Sequence, residues 1–303
     1  MRTTEVEFAA ADGRILRGVE LVPDERPIGA IVVHAATAVP IRIYAPFAEA
    51  LAERGFAVLR YDYRGTGASA APDLRDDRHL RMRDWIDLDG PAATAWLRAR
   101  HPDVPLLALG HSVGGHVIAL GGARPDGTEA PGLDGAVIIA SHIAANRDIP
   151  DPAERARVWT LLNVVAPVAG AVLGYVPGRR LALGEDLPVG VVREWRDWTR
   201  RRRYFFDDPT MDADARARRL ATPTLVVGIA DDPWSTPDAV SRFADHLSGA
   251  PVERLTVAPA PGEAIGHLGF FRRAHRETHW PAVLDWLGAE AQRAAAARAT
   301  GEA

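Results

Sequence analysis

The sequence contains no cysteine and no lysine. The first absence excludes disulfides, zinc–thiolate centres and a thiol nucleophile. The second excludes Schiff-base and pyridoxal-type chemistry, since all 36 basic side chains other than histidine are arginine. A large excess of either charge is also missing. A formal net charge of -4 over 303 residues leaves no global basic field to draw phosphate backbones, so nucleic acid is not an expected partner. No unbroken apolar run reaches the roughly 20 residues that cross a bilayer. The best stretch, Leu161 to Val176, is interrupted by proline and glycine, and no membrane span is expected. The first 18 residues scatter charge where a secretory signal has a continuous apolar core, and the expectation is a cytoplasmic location. What remains is a globular chain, 47% apolar and 25% charged, whose nucleophile, if it has one, is a hydroxyl or a carboxylate.

Glu5 to Phe8 and Ile15 to Leu21 alternate apolar and polar residues around Asp12-Gly13, the signal of an antiparallel hairpin. Short β-branched runs then recur between helix-like segments, at Ala30 to Val33, Ala57 to Tyr61, Leu106 to Leu109, Ala136 to Ile139, Thr224 to Val227 and Val252 to Val257. Continuous apolar runs belong to strands covered on both faces, so the rhythm predicts an α/β fold with a doubly wound, mostly parallel sheet behind the N-terminal hairpin. Helices are expected over Pro46–Arg54, Trp85–Arg100, Gly114–Gly121 and Thr236–Leu247, and from Thr278 onward. The rhythm breaks over residues 142–220, too long for a crossover and rich in Pro, Gly, Trp and Arg; this stretch is expected to be a helical cap or lid inserted into a core made of 1–141 and 221–303.

Gly110-His111-Ser112-Val113-Gly114 matches G-x-S-x-G, directly after one apolar strand and before a small-residue helix. A sharp turn there presents the Ser112 hydroxyl, and glycines flanking it let backbones approach without a Cβ clash. A nucleophilic serine needs a base, which in such a sheet comes from a loop after the last strand. His267, in the loop-like run Pro259 to His267, has that address. His275 and His279 lie in or near the terminal helix, His246 lies on the preceding one, and His34 and His116 come before the acid. The orienting carboxylate is expected after Thr224 to Val227, where Asp231 and Asp232 are the candidates. Asp231 is preferred, three residues beyond Gly228, with Asp232 left to cap the loop. Of the two oxyanion donors, one is the backbone N–H of Val113; the other is placed at Ala36, with Thr37 as the alternative, in the turn after Ala30 to Val33.

These residues, with Asp62-Tyr-Arg-Gly65-Thr-Gly-Ala-Ser69, resemble the α/β-hydrolase superfamily, in particular its serine-aminopeptidase-like and lysophospholipase-like branch. Tyr175-Val-Pro-Gly178, Glu194-Trp195, Asp231-Asp-Pro-Trp234 and Gly266-His-Leu-Gly-Phe-Phe-Arg272 are similar more narrowly to a bacterial group of α/β-hydrolases. The resemblance implies the triad Ser112, Asp231 and His267 by motif position, and no metal or cofactor. Asp62 to Ser69 is read as a structural turn tied by its Asp-Arg pair. Aromatics in the insertion, among them Trp159, Trp195, Trp198 and Tyr204 to Phe206, are expected in part to line an acyl pocket over Ser112, and Arg193, Arg196 and Arg200 to Arg203 to form a solvated face. The expected activity is cleavage of a small-molecule ester or amide through an acyl-enzyme. The alternatives are acyl transfer with the same triad, or a non-catalytic binding protein. Oligomeric state is not legible in the sequence.

Overall fold

The computed structural model describes residues 1–122, 132–181 and 183–300. Eight strands form one sheet: β1 (Arg2–Ala9), β2 (Ile15–Val22), β3 (Gly29–His34), β4 (Phe56–Tyr61), β5 (Leu106–His111), β6 (Gly135–Ile139), β9 (Thr224–Ile229) and β10 (Val252–Val257). A separate two-residue pair, β7 (Tyr175–Val176) and β8 (Leu187–Pro188), lies between β6 and β9 in the chain. The sheet order is β1-β2-β4-β3-β5-β6-β9-β10. The N-terminal hairpin joins antiparallel, through β2 on β4, and every later pairing is parallel. Every residue of β3, β5, β6 and β9 is buried, as continuous apolar runs demand when helices cover both faces; β1 and β10, at the two edges, are largely exposed.

Proline decides where several helices begin. Pro46, Pro152 and Pro237 each occupy one of the first two positions of a helix, where the missing N–H leaves no bond unmade. Asp151 and Thr236 add side-chain caps to two of these starts, Asp151 accepting from Ala153 N–H at 2.7 Å and Thr236 from Ala239 N–H at 3.3 Å.

The stretch between β6 and β9 holds a helical run over Pro152–Leu173, the β7–β8 pair, and helices at Val189–Thr199 and Ala213–Arg219. The proline-interrupted segment is therefore one 22-residue helical run, long and apolar enough by length and composition to cross a membrane, contrary to the sequence expectation. The reason is local. A π turn at Leu161–Val165 precedes Pro167 and widens the helix, so the ring is accommodated rather than breaking it. Little of the run is buried, with Trp159, Val164, Val168 and Val172 exposed, while Val158, Leu161 and Leu162 face a cavity. Helix Val189–Thr199 is tied down by Glu194, which accepts from Arg83 N and Nε at 2.7 and 2.5 Å. Further along, Arg216 is fully buried and donates to the Leu120 carbonyl at 2.8 Å and to Asp87 at 2.6 Å, so Ala213–Arg219 packs on the core helix Val113–Gly121.

The turn at 62–69 is structural, but not through an Asp62–Arg64 pair. Asp62 accepts from Ala68 N–H at 3.0 Å, whereas Arg64 reaches buried Asp89 at 2.6 Å and Asp12 at 2.7 Å. The chain turns at this point, with Thr66 N–H bonded to Tyr63 O, and the turn carries Arg64 to Asp89, which also accepts from the Arg64 backbone N–H at 2.8 Å.

Candidate active site

Ser112 sits between β5 and helix Val113–Gly121 with φ 53° and ψ −114°, a conformation that costs a non-glycine residue about 1–3 kcal/mol. Three bonds hold it there: Ser112 N–H to Ile139 O at 2.9 Å, Gly115 N–H to Ser112 O at 3.0 Å, and Ser141 Oγ to Ser112 O at 2.7 Å. The flanking glycines are required by space. A Cβ on Gly110 would lie 2.4 Å from the Gly114 carbonyl, and one on Gly114 would lie 2.1 Å from the His34 carbonyl oxygen. Both obstacles are backbone and cannot swing aside. Gly114→Ala is therefore expected to cost at least about 3 kcal/mol in urea unfolding. Gly288→Ala, in open space on the terminal helix, is expected to stabilise by about 0.5–1 kcal/mol.

His267 opens the short helix Gly266–Gly269 after the loop that follows β10, as expected. Its acid partner differs from the sequence assignment. His267 Nδ1 is 2.7 Å from Asp232 Oδ2, while Asp231 accepts backbone N–H groups from Ile265 at 2.9 Å and Gly266 at 3.0 Å. The two neighbours have exchanged the roles anticipated for them. The chain turns immediately after β9, with Asp232 N–H bonded to Ile229 O, and this points the second carboxylate inward, 3% exposed, and leaves the first at the surface beside the His267 loop. Burial alone would raise the Asp232 carboxyl. The His267 ring and the N–H groups of Ser235 and Trp234, both at 2.9 Å, outweigh it and hold the group below its ordinary value. With Nδ1 engaged, the other ring nitrogen of His267 is free for a proton. Ser112 and His267 line the same cavity, and among the described residues no hydrogen bond joins their side chains.

The N–H expected as the second oxyanion donor, that of Ala36, does not face the cavity unpaired. Ala36 N–H is already used, donating to the Tyr44 hydroxyl at 2.8 Å. Among the described residues the N–H groups of Val113 and Thr37 make no protein hydrogen bond, and both residues line the cavity. The sequence contains no local sign of this, because Tyr44 reaches back eight residues from the next turn. Having accepted from Ala36, Tyr44 donates to His111 Nδ1 at 2.8 Å, which puts the His111 proton on Nε2, where it meets the His267 carbonyl at 2.8 Å. His111 is neutral: burial, and then the neighbouring His267, hold its pKa at about 3. Tyr44 and His111 thus link the Ala36 turn to the His267 backbone, and neither was singled out from sequence. Tyr44→Phe orphans Ala36 N–H and His111 Nδ1 together and is expected to cost about 1–3 kcal/mol, read as a lower urea midpoint.

The cavity has a volume of about 580 Å³, within the range of small-molecule sites, and much of its wall is aliphatic: Ile43, Ile149, Val158, Leu161, Leu162 and Leu268. Of the insertion's aromatics, Trp195 and Tyr204 reach it, whereas Trp198, Phe205 and Phe206 are buried together and Trp159 faces out. The arginines of 193–203 do not line it; Arg196, Arg201 and Arg203 pair with Asp197, Asp208 and Asp207. The basic residues at the wall are Arg42, Arg157 and Arg179. Arg157 is bound by Glu154, and Arg42 and Arg179 both pair with Glu185. His142 also lines the cavity; burial, with His267 adding to it, holds its pKa at about 3, and its Nδ1 has no partner among the described residues. Trp234 donates from its indole to Glu154 at 2.7 Å, joining the Asp232 loop to the long helical run above the cavity.

An eight-stranded sheet of this order, with a strained serine at the turn after β5 and a His–Asp pair on loops after β10 and β9, defines the α/β-hydrolase fold. The sequence profile of the serine aminopeptidase (S33) family matches residues 25–180, and the chain belongs to that family. It is 29% identical over 184 residues to a monoacylglycerol lipase of Mycolicibacterium smegmatis, an alignment spanning 59% of this chain and 58% of that relative's length. Among solved structures, an α/β hydrolase of Penicillium sp. sh18 superimposes with a TM-score of 0.61 at 17% identity, covering 97% of this chain and 99% of that one. A Pyrococcus furiosus esterase does so at 0.60 and 16%, covering 96% and 91%, and a Bacillus coagulans carboxyl esterase at 0.58 and 15%, covering 95% and 99%. These three likenesses concern the fold.

Proposed function

We propose that the chain is a serine hydrolase of carboxylic esters carrying a single acyl chain, with Ser112 as nucleophile, His267 as base and Asp232 as the acid that orients it. The observation that carries this reading is the meeting of the strained Ser112 turn and the Asp232-bound His267 at one largely aliphatic cavity. In this scheme Ser112 Oγ attacks the ester carbonyl while His267 Nε2 takes its proton. The oxyanion is held by Val113 N–H and Thr37 N–H, the first reinforced by the dipole of helix Val113–Gly121. The alkoxide leaves with the proton from His267, and water, deprotonated by the same ring, then releases the acid and restores Ser112. No cofactor is needed for any step. Similarity to a monoacylglycerol lipase supports a glycerol monoester as the first substrate to try.

The insertion of residues 142–220 acts as a cap, with the inner face of the Pro152–Leu173 run forming the roof of the acyl site; that lining role favours a cap helix over a membrane span. Ester cleavage is favoured over aminopeptidase action by Glu185. It is the carboxylate at the cavity wall that could take a substrate ammonium, and it is already paired with Arg42 and Arg179. The test is a panel of p-nitrophenyl esters and monoacylglycerols of varied chain length, run beside aminoacyl-p-nitroanilides. Turnover of the esters with preference for medium or long chains is expected. Turnover of the anilides alone would defeat the proposal.

A further inference from the structure

Beyond the Ser112 cavity, the loop that carries His267 holds a second group of polar side chains. Glu263 lies four residues before His267; His275 and His279 lie beyond it, just before the helix Trp280–Thr300. One ligand atom from each of the three falls within a span of 4.8 Å. Glu263 Oε1 is 2.8 Å from His275 Nδ1, and its Oε2 is 3.0 Å from His279 Nε2. The first contact is not a hydrogen bond. His275 is only 3% exposed, and its Nδ1 is left without a hydrogen-bond partner despite the carboxylate oxygen beside it. A buried imidazole nitrogen close to a carboxylate but out of line with it is poorly served by a shared proton, whereas a cation between the two would satisfy both.

We propose that Glu263, His275 and His279 form a binding site for a divalent transition-metal cation of the zinc class, which pins the loop carrying His267. Two imidazoles and one carboxylate are a donor set that zinc accepts in a tetrahedron with the fourth position open to water, and one that magnesium and calcium, which prefer all-oxygen shells, do not favour. Zinc–donor bonds of about 2.0–2.2 Å set ligand atoms about 3.3 Å apart, so the pairs at 2.8 and 3.0 Å need to open by a few tenths of an ångström. Partly exposed Glu263 and His279 have room for that adjustment.

The supporting shell is present. Ala260 N–H donates to Glu263 Oε2 at 2.7 Å and orients the carboxylate, and His279 N–H bonds to His275 O at 3.0 Å, which fixes the two imidazoles one turn apart. The nearby guanidiniums of Arg273 and Arg276 are engaged by Glu49 and Glu53 and so offer little repulsion to a cation. A cation bound here would staple residue 263 to residues 275 and 279, on both sides of His267 in the chain, while Asp231 holds Ile265 and Gly266 through their backbone N–H groups. The site stands on its own geometry and does not depend on the chemistry proposed for Ser112.

The experiment uses the untagged full chain, stripped with EDTA and dialysed against micromolar zinc chloride, with bound metal measured by elemental analysis and thermal unfolding followed with and without zinc. One zinc per chain and a zinc-dependent rise in Tm are expected. Glu263→Gln and His279→Ala, both at partly exposed positions, should weaken zinc binding by more than about 100-fold and abolish the rise while still unfolding cooperatively in EDTA. His275 is left intact because truncating it would open the core. His267→Ala should retain one zinc, separating this site from the Ser112 cavity and its ester chemistry. Cobalt in place of zinc should give visible absorption that Glu263→Gln loses. An unsubstituted chain that holds no zinc, or zinc retained equally by Glu263→Gln and His279→Ala, overturns the proposal.

Discussion

Replacing Ser112 by alanine is expected to lower kcat for p-nitrophenyl ester hydrolysis by about 10⁴–10⁶-fold while leaving the protein folded. The hydroxyl is the bond-forming group in the proposed scheme, and nothing else at that turn can substitute for it. Its own side chain is not what shapes the turn. The anchors are backbone groups, Ser112 N–H to Ile139 O and Gly115 N–H to Ser112 O, together with Ser141 Oγ on the Ser112 carbonyl. Alanine at φ 53° carries the same strain as serine, so stability should change by less than about 1 kcal/mol. A fluorophosphonate probe should label the unsubstituted protein at Ser112 and fail on the variant. Full activity in Ser112→Ala would remove the acyl-enzyme from consideration.

The second large effect separates two adjacent aspartates. Asp232→Asn is expected to lower kcat by about 10⁴-fold, because an amide at that position no longer holds His267 in the tautomer that leaves Nε2 free to accept a proton. Asp231→Asn keeps only one of the two oxygens that accept from Ile265 and Gly266 but leaves the His267–Asp232 contact untouched, and a loss of no more than about tenfold is expected. The two variants measured side by side read the assignment directly; equal losses would mean that His267 exchanges between the carboxylates. Acid titration offers a second readout. The Asp232 carboxyl lies below its ordinary value in the folded protein, so its ionised form contributes stability at pH values above the unfolded-state pKa, about 4. That contribution is lost as pH falls through the lower, folded-state value. Asp232→Asn should lack this component of acid destabilisation, which a urea midpoint series from pH 6 to pH 3 would reveal.

The apolar cavity and the His267 loop respond to different parts of the chain. The Pro152–Leu173 run forms part of the cavity wall, and Trp234 ties it to the acid loop through Glu154. Arg157 and the Trp234 indole hold the Glu154 carboxyl down to about 2, so the link persists over the ordinary working range of pH. Opening the roof for substrate must break or carry along this contact.

The eight strands of the main sheet could be located from two marks: the N-terminal pair from apolar–polar alternation around Asp12-Gly13, and the others from short β-branched runs, which are continuous in β3, β5, β6 and β9 because a strand covered on both faces must be apolar along its whole length. The strained turn at Ser112 was equally legible, since a sharp strand-to-helix turn needs glycine at fixed spacing where backbones touch, and Gly110 and Gly114 record that need. His267 followed from its place in the chain order. The sequence spacing favours Asp231 over Asp232, yet His267 pairs with Asp232, because both suit a turn and the outcome depends on how the chain turns as it leaves β9. The sequence could not reveal that Tyr44 takes the Ala36 N–H, or that Glu263, His275 and His279 converge. These depend on where segments from different parts of the chain come to rest, and a hydrogen bond or a ligand set is decided within tenths of an ångström. Local patterns of polarity determined the sheet and the serine; packing between distant segments determined which neighbours finally meet.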